Sequence, residues 1–420
     1  MNNDPHYLKS IVGLSERRKI VTHRPIHAEN GLKLLDAGIH ISPELHDKLV
    51  MHKLAPAIDE CLSVEGAVTP EMLAADIEAL LAGDAFGGLI RSQDERRHLL
   101  NAFRRLQLNP VLAFKLTVAR EQYPDIFRQS LEVALCAAII TLFVDGPAAP
   151  RLIDAAAAGL FHDIGLLHID PALLVAEHQL SDEDRHHIYA HPVVAHLQLS
   201  RFAEWHPRVS NAVLEHHERV DASGYPRGLD GNAISSLGQL LSVAEILATL
   251  ISENRSMPLV KNAQVILRLN QGKLNRRYAD SVMAMILRHK TQSLQETDAP
   301  ADYAETLAGL VALSECIQHW QAIATTFDPL PVIETISRRI EMLEHNLAGI
   351  GIDLRNWGMI DAELTEAGEA LSELSVAARE GRWQLRAIAQ EVERHWTQWR
   401  PGSQPIQDSI RNWVKQAESL

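Results

Sequence analysis

The sequence predicts an essentially all-α protein, and three observations carry that expectation. Apolar residues recur at helical spacing almost without a break over residues 93–290. No array of alternating apolar and polar residues is present of the kind an all-β or α/β chain would need. The breaks that do occur fall on Gly, Pro and Asn clusters, the strongest local punctuation in a chain. The expected architecture is one helical bundle followed by a second, preceded by a small N-terminal module that is α/β or mainly helical. The domain boundaries expected from these breaks are 1–92, 93–290 and 302–420.

Residues 1–30 read as polar and irregular. Residues 31–60 read as short extended pieces followed by a helix over 43–61. A helical pattern covers 70–81, and Gly83, Gly87 and Gly88 then break the chain. Residues 127–144 carry Leu131, Ala134, Leu135, Ala138 and Leu142 at helical spacing. Residues 151–161 are Ala-rich and strongly helical, with Gly165 as a terminator. Ser181 with Asp184 three positions on reads as a helix start of the capping-box kind. That helix carries His186, His187 and His191. Pro207 suits a first helical position, and the helix it opens ends in His216, His217 and Glu218. Residues 221–232 form a loop by their Gly, Pro and Asn content, and 237–252 return to helix with Glu245 in the middle. Residues 291–301 form a polar linker. Helices then resume, separated near Pro329, Gly349 to Gly351 and Pro401 to Pro405.

Apolar residues make up 46% of the 420 and charged residues 22%, an ordinary globular composition that excludes collagen-like and wholly disordered chains. A net charge of −14 argues against a nucleic-acid polymer or an anionic membrane as partner, since both require a positive field. Three widely spaced cysteines, Cys61, Cys136 and Cys316, give no disulfide framework and no zinc pair, and read as free thiols in a reducing compartment. The N-terminus has no signal-peptide pattern. The apolar run 133–144 is shorter than the roughly 20 residues that span a bilayer. A soluble cytoplasmic protein is expected.

Histidine is over-represented, with 21 residues, and its placement carries the chemistry. His162 and Asp163 are adjacent at a helix end, His191 lies on a second helix, His216 and His217 end a third, and Glu245 lies on a fourth. Imidazole and carboxylate together ligate divalent metals such as Fe, Mn, Zn, Ni or Co. Neighbouring helical residues point about 100° apart, so His162 and Asp163 suit neighbouring ions with the Asp bridging. Two metals about 4 Å apart can activate a bridging water against a phosphodiester. The plainer alternative is that each histidine is a surface or hydrogen-bonded core residue, because a His-rich chain produces chance clusters.

The order of these residues resembles a known family. Phe161-His162-Asp163-Ile164-Gly165, with Ile169 and Pro171, is similar to the HD signature of the HD-GYP phosphohydrolases. The stretch from His216-His217-Glu218 through Asp221, Gly224-Tyr225-Pro226, Gly228 and Gly231 is similar to the GYP signature. His191-Pro192, Val243-Ala244-Glu245 and the 272–278 segment resemble the motifs between and after them. The resemblance covers about 110–290 and implies an HD-type helical bundle. A weaker likeness to a strand-turn-helix module covers 29–49.

The family resemblance implies a metal-dependent hydrolase of cyclic di-GMP, yielding linear pGpG or GMP, with iron or manganese as cofactor. It assigns ligand positions to His162, Asp163, His191, His216 and His217. Asp163 would be the bridging carboxylate, with Glu245 at the last ligand position. Gly224, Tyr225 and Pro226 belong to the loop that meets substrate, with Gly224 supplying a positive φ or a close backbone approach. Five departures accompany the matches, one of them Ala222, which replaces a Gly in the loop start Asp221-Ala222-Ser223-Gly224. Aligning on Ser130 places Gln129 where the family has its first histidine ligand, Glu245 replaces an Asp, and Leu166 replaces a Lys. Residues 254–257 replace a phosphate-holding stretch. Asp125 is a compensating carboxylate on the same helix.

These departures imply one well-formed metal site, of Asp163, His191, His216 and His217, beside a weakened one of His162, Gln129 and Glu245, and hence reduced activity. The alternative is a catalytically inactive signalling scaffold that binds nucleotide or protein partners, through the GYP loop or the C-terminal helices, or as a homodimer. Six of the seven tryptophans fall in 302–420. Trp320, Trp357, Trp383, Trp396, Trp399 and Trp413 read as core filling, with a partner-binding stripe as the alternative.

Overall fold

The computed structural model describes residues 4–174, 181–203, 205, 207–252, 259–289, 302–327, 330–354, 368–399 and 402–420. The 254–257 stretch, the 291–301 linker, Trp357, Pro329 and Pro401 lie outside the described residues. The described residues are helical nearly throughout, and they pack as two compact units, Met1–Ala248 and Thr249–Leu420.

The first unit opens with α1 (Pro5–Ser15), where the sequence suggested irregular chain. Asp4 caps it by accepting from the His6 and Tyr7 amides, and Pro5 occupies the first turn, where a missing N–H is harmless. Its buried face carries Tyr7, Leu8, Ile11, Val12 and Leu14. Four short strands follow: β1 (Ile20–Thr22), β2 (Ile26–His27), β3 (Lys33–Leu35) and β4 (Leu62–Val64), paired antiparallel as β1 with β4 and β2 with β3.

The helix expected over 43–61 is broken. It is a 3-10 turn, Pro43–Leu45, one short helix, α2 (His46–Val50), and a second 3-10 turn, Ile58–Glu60. Pro56 cannot donate to a helix and disfavours helical geometry at Ala55, and Leu54 instead bridges to Ala28. The N-terminal module is thus a mixed α/β piece on an otherwise helical chain.

Helices α3 (Pro70–Ala82), α4 (Asp84–Gly87), α5 (Gln93–Arg104) and α6 (Pro110–Gln122) lead to the centre of the unit. There α7 (Pro124–Asp145) packs along α8 (Ala149–Phe161). The two backbones touch, since a Cβ on Gly159 would lie 2.4 Å from Ala134 Cα. At 22 residues and mean hydropathy 1.6, α7 is long and apolar enough to cross a membrane. Within the unit 78% of that apolar window is buried, the setting of a core helix. Then come α9 (Asp182–Tyr189), α10 (His191–Leu199), α11 (Pro207–Glu215) and α12 (Ser236–Ser252). Ser181 and Asp184 form the expected capping box at α9.

The second unit comprises α13 (Leu259–Leu269), α14 (Arg276–His289), α15 (Tyr303–Thr326), α16 (Pro331–Gly349), α17 (Gly368–Trp399) and α18 (Gln404–Glu418). Val265 and Leu269 of α13 sit in the same core as Trp320 and Trp413. Asn346 and Gln384 both donate to the Leu269 carbonyl, closing the C-terminal end of α13 from α16 and α17. The compact units therefore divide at Ala248/Thr249, whereas the sequence reading kept residues up to 290 with the central bundle. Trp320 and Trp413 pack edge to face with centroids 4.9 Å apart, and Trp396 and Trp399 lie partly buried against this core. Trp383 is exposed.

Candidate metal centre

The central cluster is assembled from helix ends of the first unit. His162 closes α8 and Asp163 follows it, where the chain leaves the helix for the 3-10 turn Ile164–His168. Gly165 was expected only to end a helix. Its actual role is contact: a Cβ there would lie 2.2 Å from the His191 carbonyl oxygen. That close approach sets Asp163 against the start of α10, where His191 is the first residue.

Three histidines share one device. The Nδ1 atoms of His162, His191 and His216 lie 2.8, 2.7 and 2.6 Å from the carbonyls of Gly159, Ile188 and Val213, each three residues upstream. A carbonyl only accepts, so each Nδ1 carries hydrogen, and in the neutral ring each Nε2 is a lone pair. Those lone pairs converge. His191 Nε2 lies 3.2 Å from His216 Nε2 and 3.2 Å from Asp163 Oδ1, and His216 Nε2 lies 3.8 Å from the same oxygen. Neighbouring donors on one ion at about 2.1 Å stand roughly 3.0–3.4 Å apart, so these separations suit a shared cation.

Two facing lone pairs cannot bond to each other, and anchoring the far nitrogen on a backbone carbonyl is what metal-binding histidines do. On the other side of Asp163, Oδ2 lies 3.1 Å from His162 Nε2. That nitrogen is fully buried and has no partner in hydrogen-bond geometry. His191, His216 and His217 also offer ligand atoms all within 4.8 Å of one another. Glu245 Oε2 lies 3.8 Å from His217 Nδ1.

In the metal-free protein the electrostatics are polarised. Burial opposes charging of His162, but the Asp163 carboxylate outweighs it and raises the imidazole pKa to about 9. Asp163 resists burial through the same partner and is held well below the usual carboxylate range. Burial, then the neighbouring imidazoles, push His216 and His217 well below their ordinary value. Burial raises Glu245. The donor set is therefore rich in neutral imidazole and carboxylate, which fits a divalent ion.

The loop after α11 is held by two buried glutamates that the sequence reading gave no role. Glu218 accepts from the Arg227 and Leu229 amides at 2.8 and 2.9 Å. Glu215 accepts from the Ser235 amide at 2.9 Å and pairs with the Arg227 guanidinium at 2.7 Å. Gly224 is required for close approach: its Cβ would lie 2.4 Å from Glu218 Cα and from the His217 oxygen. The positive φ angles of this loop fall instead on Ala222 and Gly228, both at 63°. Tyr225 stacks on His217 with centroids 4.6 Å apart, and the Tyr189 ring of α9 meets Tyr225 at a tilt, also at 4.6 Å. Pro226 is exposed at the rim. Tyr189 gave no signal in the sequence beyond its position before a helix end.

Of the sequence-derived residues, His162, Asp163, His191 and His216 come together, with His217, Glu245, Gly224 and Tyr225 alongside. Glu245 neighbours His217 rather than Gln129. Gln129 is exposed on α7, and among the described residues no hydrogen bond or ion pair joins it to the cluster. Asp125 does not compensate: its side chain is 93% exposed and faces Arg128 at 3.4 Å. Leu166 is half-buried in the 3-10 turn.

A helical unit that gathers a His-Asp pair and further histidines at its helix ends has the layout of an HD fold with a candidate metal centre. Comparison with known proteins agrees. Residues 118–282 match a family model described as an HD domain. The matched span of 165 residues is well under half of the chain. It is 30% identical over 140 residues to a cyclic di-GMP phosphodiesterase of Pseudomonas aeruginosa, covering 33% of this chain and 34% of that protein. It is 33% identical over 103 residues to a cyclic di-GMP phosphodiesterase response regulator of Xanthomonas campestris, covering 24% and 27%. It is 30% identical over 107 residues to a 3'3'-cGAMP-specific phosphodiesterase of Vibrio cholerae, covering 25% and 23%. The chain thus spans about a third or less of the length of these relatives.

Proposed function

We propose that this protein is a metal-dependent cyclic-dinucleotide phosphodiesterase, hydrolysing cyclic di-GMP to pGpG or GMP. The observation that carries this reading is the convergence of Asp163, His191 and His216, each imidazole turned inward by a backbone carbonyl. The names of the relatives support the substrate class. In this reading His162, Asp163, His191, His216, His217 and Glu245 would hold two divalent ions, iron or manganese, with the Glu245 half weaker. Such ions supply Lewis acidity and a water acidic enough to attack phosphorus.

The residues divide the remaining work. Asp163 presents Oδ1 to His191 and His216 and Oδ2 to His162, the disposition of a bridging carboxylate. Tyr225 lies flat on His217 and offers a hydroxyl and a ring edge to a nucleotide, with Gly224 allowing the loop to lie against the helix end. Pro226 contributes the exposed rim. The catalytic segment corresponds to 93–290, flanked by a module at 1–92 and helices at 302–420. The buried setting of α7 and the three buried free cysteines support a cytoplasmic location.

One observation favours a second reading. Leu166 stands where the family places a lysine, and Gln129 faces solvent, so one half of the centre is short of a ligand and a cation. A scaffold that binds nucleotide or a protein partner would tolerate both. Metal analysis of protein purified without chelator, paired with turnover of cyclic di-GMP and 3'3'-cGAMP, separates the readings. Bound metal with turnover supports the enzyme, bound metal without turnover supports the scaffold, and absence of metal overturns the assigned centre.

A further inference from the structure

The first unit holds a second polar cluster, separate from the metal centre. It lies where α1 and the 3-10 turn Ile58–Glu60 meet α6, the turn Ile164–His168 and the end of α10. A cavity of about 40 Å³ is lined there by Asp4, Tyr7, Asp59, Lys115, His168 and Gln198, with apolar neighbours. A single water needs about 10–15 Å³ of such space, so the cavity admits a group of a few heavy atoms.

Its charges are internally arranged. Lys115 Nζ lies 2.5 Å from Asp59 Oδ2 and 4.3 Å above the Tyr7 ring. His168 Nδ1 lies 2.9 Å from Asp4 Oδ2, and its Nε2 lies 3.4 Å from Lys115 Nζ. A carboxylate accepts and an ammonium donates, so His168 has hydrogen on Nδ1, a lone pair on Nε2 and no net charge. Two carboxylates then face one ammonium. Arg201 at the rim pairs with Glu60, which Arg24 shares at 3.0 Å, so the ion pairs around the cavity balance and what remains unmatched is hydrogen-bonding capacity.

Three lining side chains are left with an unmatched atom. Tyr7 Oη, Asp59 Oδ1 and Gln198 Oε1 are buried and have no hydrogen-bond partner among the described residues. Their residues are 3%, 5% and 6% exposed. All three atoms can accept, and Asp59 Oδ1 can only accept. What they lack is a hydrogen-bond donor, and a cationic one suits the Asp59 carboxylate oxygen best. A hard metal ion such as calcium asks for six or more oxygens, whereas three acceptors match three N–H groups. An anion would face Asp4 and Asp59.

We propose that this cavity binds a small primary ammonium group, either free ammonium or the head of a short amine. The site also touches the metal centre through the chain. The turn Ile164–His168 begins beside Asp163 and ends on His168, and α10 begins on His191 and carries Gln198 in its last turn. Two elements that line the cavity thus also carry Asp163 and His191 at their starts.

The test uses the full chain at constant ionic strength. Its thermal midpoint is followed while ammonium chloride or methylammonium chloride is titrated against potassium chloride and tetramethylammonium chloride. A saturable rise with ammonium alone assigns the free ion, and a rise with methylammonium as well assigns an amine head. Tyr7→Phe and Gln198→Met each remove one acceptor without removing bulk, and each should weaken the apparent affinity about tenfold. An equal response to all four salts, or to potassium and ammonium alike, overturns the proposal. So does an affinity unchanged in both variants.

Discussion

Replacing Glu218 by Gln changes one atom of the loop clamp and keeps its shape. In the native chain both carboxylate oxygens accept a backbone amide, Oε1 from Arg227 at 2.8 Å and Oε2 from Leu229 at 2.9 Å. Glu218 is 2% exposed, so water cannot readily substitute. A glutamine retains one acceptor and turns an NH2 toward the other amide. One hydrogen bond to a charged group is lost, worth about 1.5–3 kcal/mol, and the surviving bond falls to the neutral value, about 1 kcal/mol weaker. The expected cost is therefore about 3 kcal/mol, or roughly a hundredfold in the opening equilibrium of the loop.

Native-state hydrogen exchange reads this directly, because it resolves local opening. Either the Arg227 or the Leu229 amide should lose about two orders of magnitude of protection, while amides of α7 and α8 change little. Bound metal should fall as well, since the Tyr225 amide donates to the His217 carbonyl and its ring stacks on that imidazole. If both amides kept full protection, Glu218 would not be holding the loop, and the account of how the GYP segment is positioned would fail.

Asp163→Ala should strip bound metal and any phosphodiesterase activity while far-UV circular dichroism stays helical; full metal content in the variant would remove Asp163 from the ligand set. Gly165→Ala should cost about 1–3 kcal/mol in urea unfolding and lower metal content, because its Cβ would meet the His191 carbonyl at 2.2 Å. Gly349→Ala, which has open space around it, is the neutral control. Metal binding near pH 7.5 should release about one proton, because the metal-free His162, with a pKa of about 9, must give up its Nε2 proton to become a ligand. Calorimetry in buffers of different ionisation enthalpy would measure it, and a zero count would contradict the His162–Asp163 coupling.

Metal-free stability should also depend on pH in two directions. His162 has a folded pKa above its unfolded one, so its contribution is complete below about pH 6.5 and is lost as pH rises through about 9. His216 and His217 are depressed, so acid below about pH 6.5 charges the unfolded chain and removes stability. Denaturation midpoints across pH should peak near 6.5, and a flat profile would refute both shifts.

The sequence by itself determined the helical class, most helix starts and the chemistry of the centre. These rest on short-range physics: periodicity along α7 and α8, the capping box at Ser181, Pro207 opening α11, and the ordered His and Asp residues at helix ends. It misread α1 because an eleven-residue helix with one buried face is easily taken for irregular chain between polar flanks. It also misread 43–61, where a proline and a long-range bridge to Ala28 override local helix propensity.

Only tertiary structure decided the rest. Whether Gly224 supplies a φ angle or an approach distance depends on what lies opposite it, and here that is the Glu218 and His217 backbone. Gln129 faces solvent because the first turns of α7 bury Phe127, Ser130 and Leu131 instead, a choice made by packing. The contact of Tyr189 with Tyr225 joins residues far apart in the chain, and the clamps of Glu215 and Glu218 depend on how the loop folds back over the helix end. The cluster of Asp4, Lys115 and His168 spans 164 residues between Asp4 and His168. Such contacts exist only once loop-closure entropy has been overcome by burial elsewhere. A one-dimensional pattern carries the composition of a site, and the arrangement of its donors is a property of the packed chain.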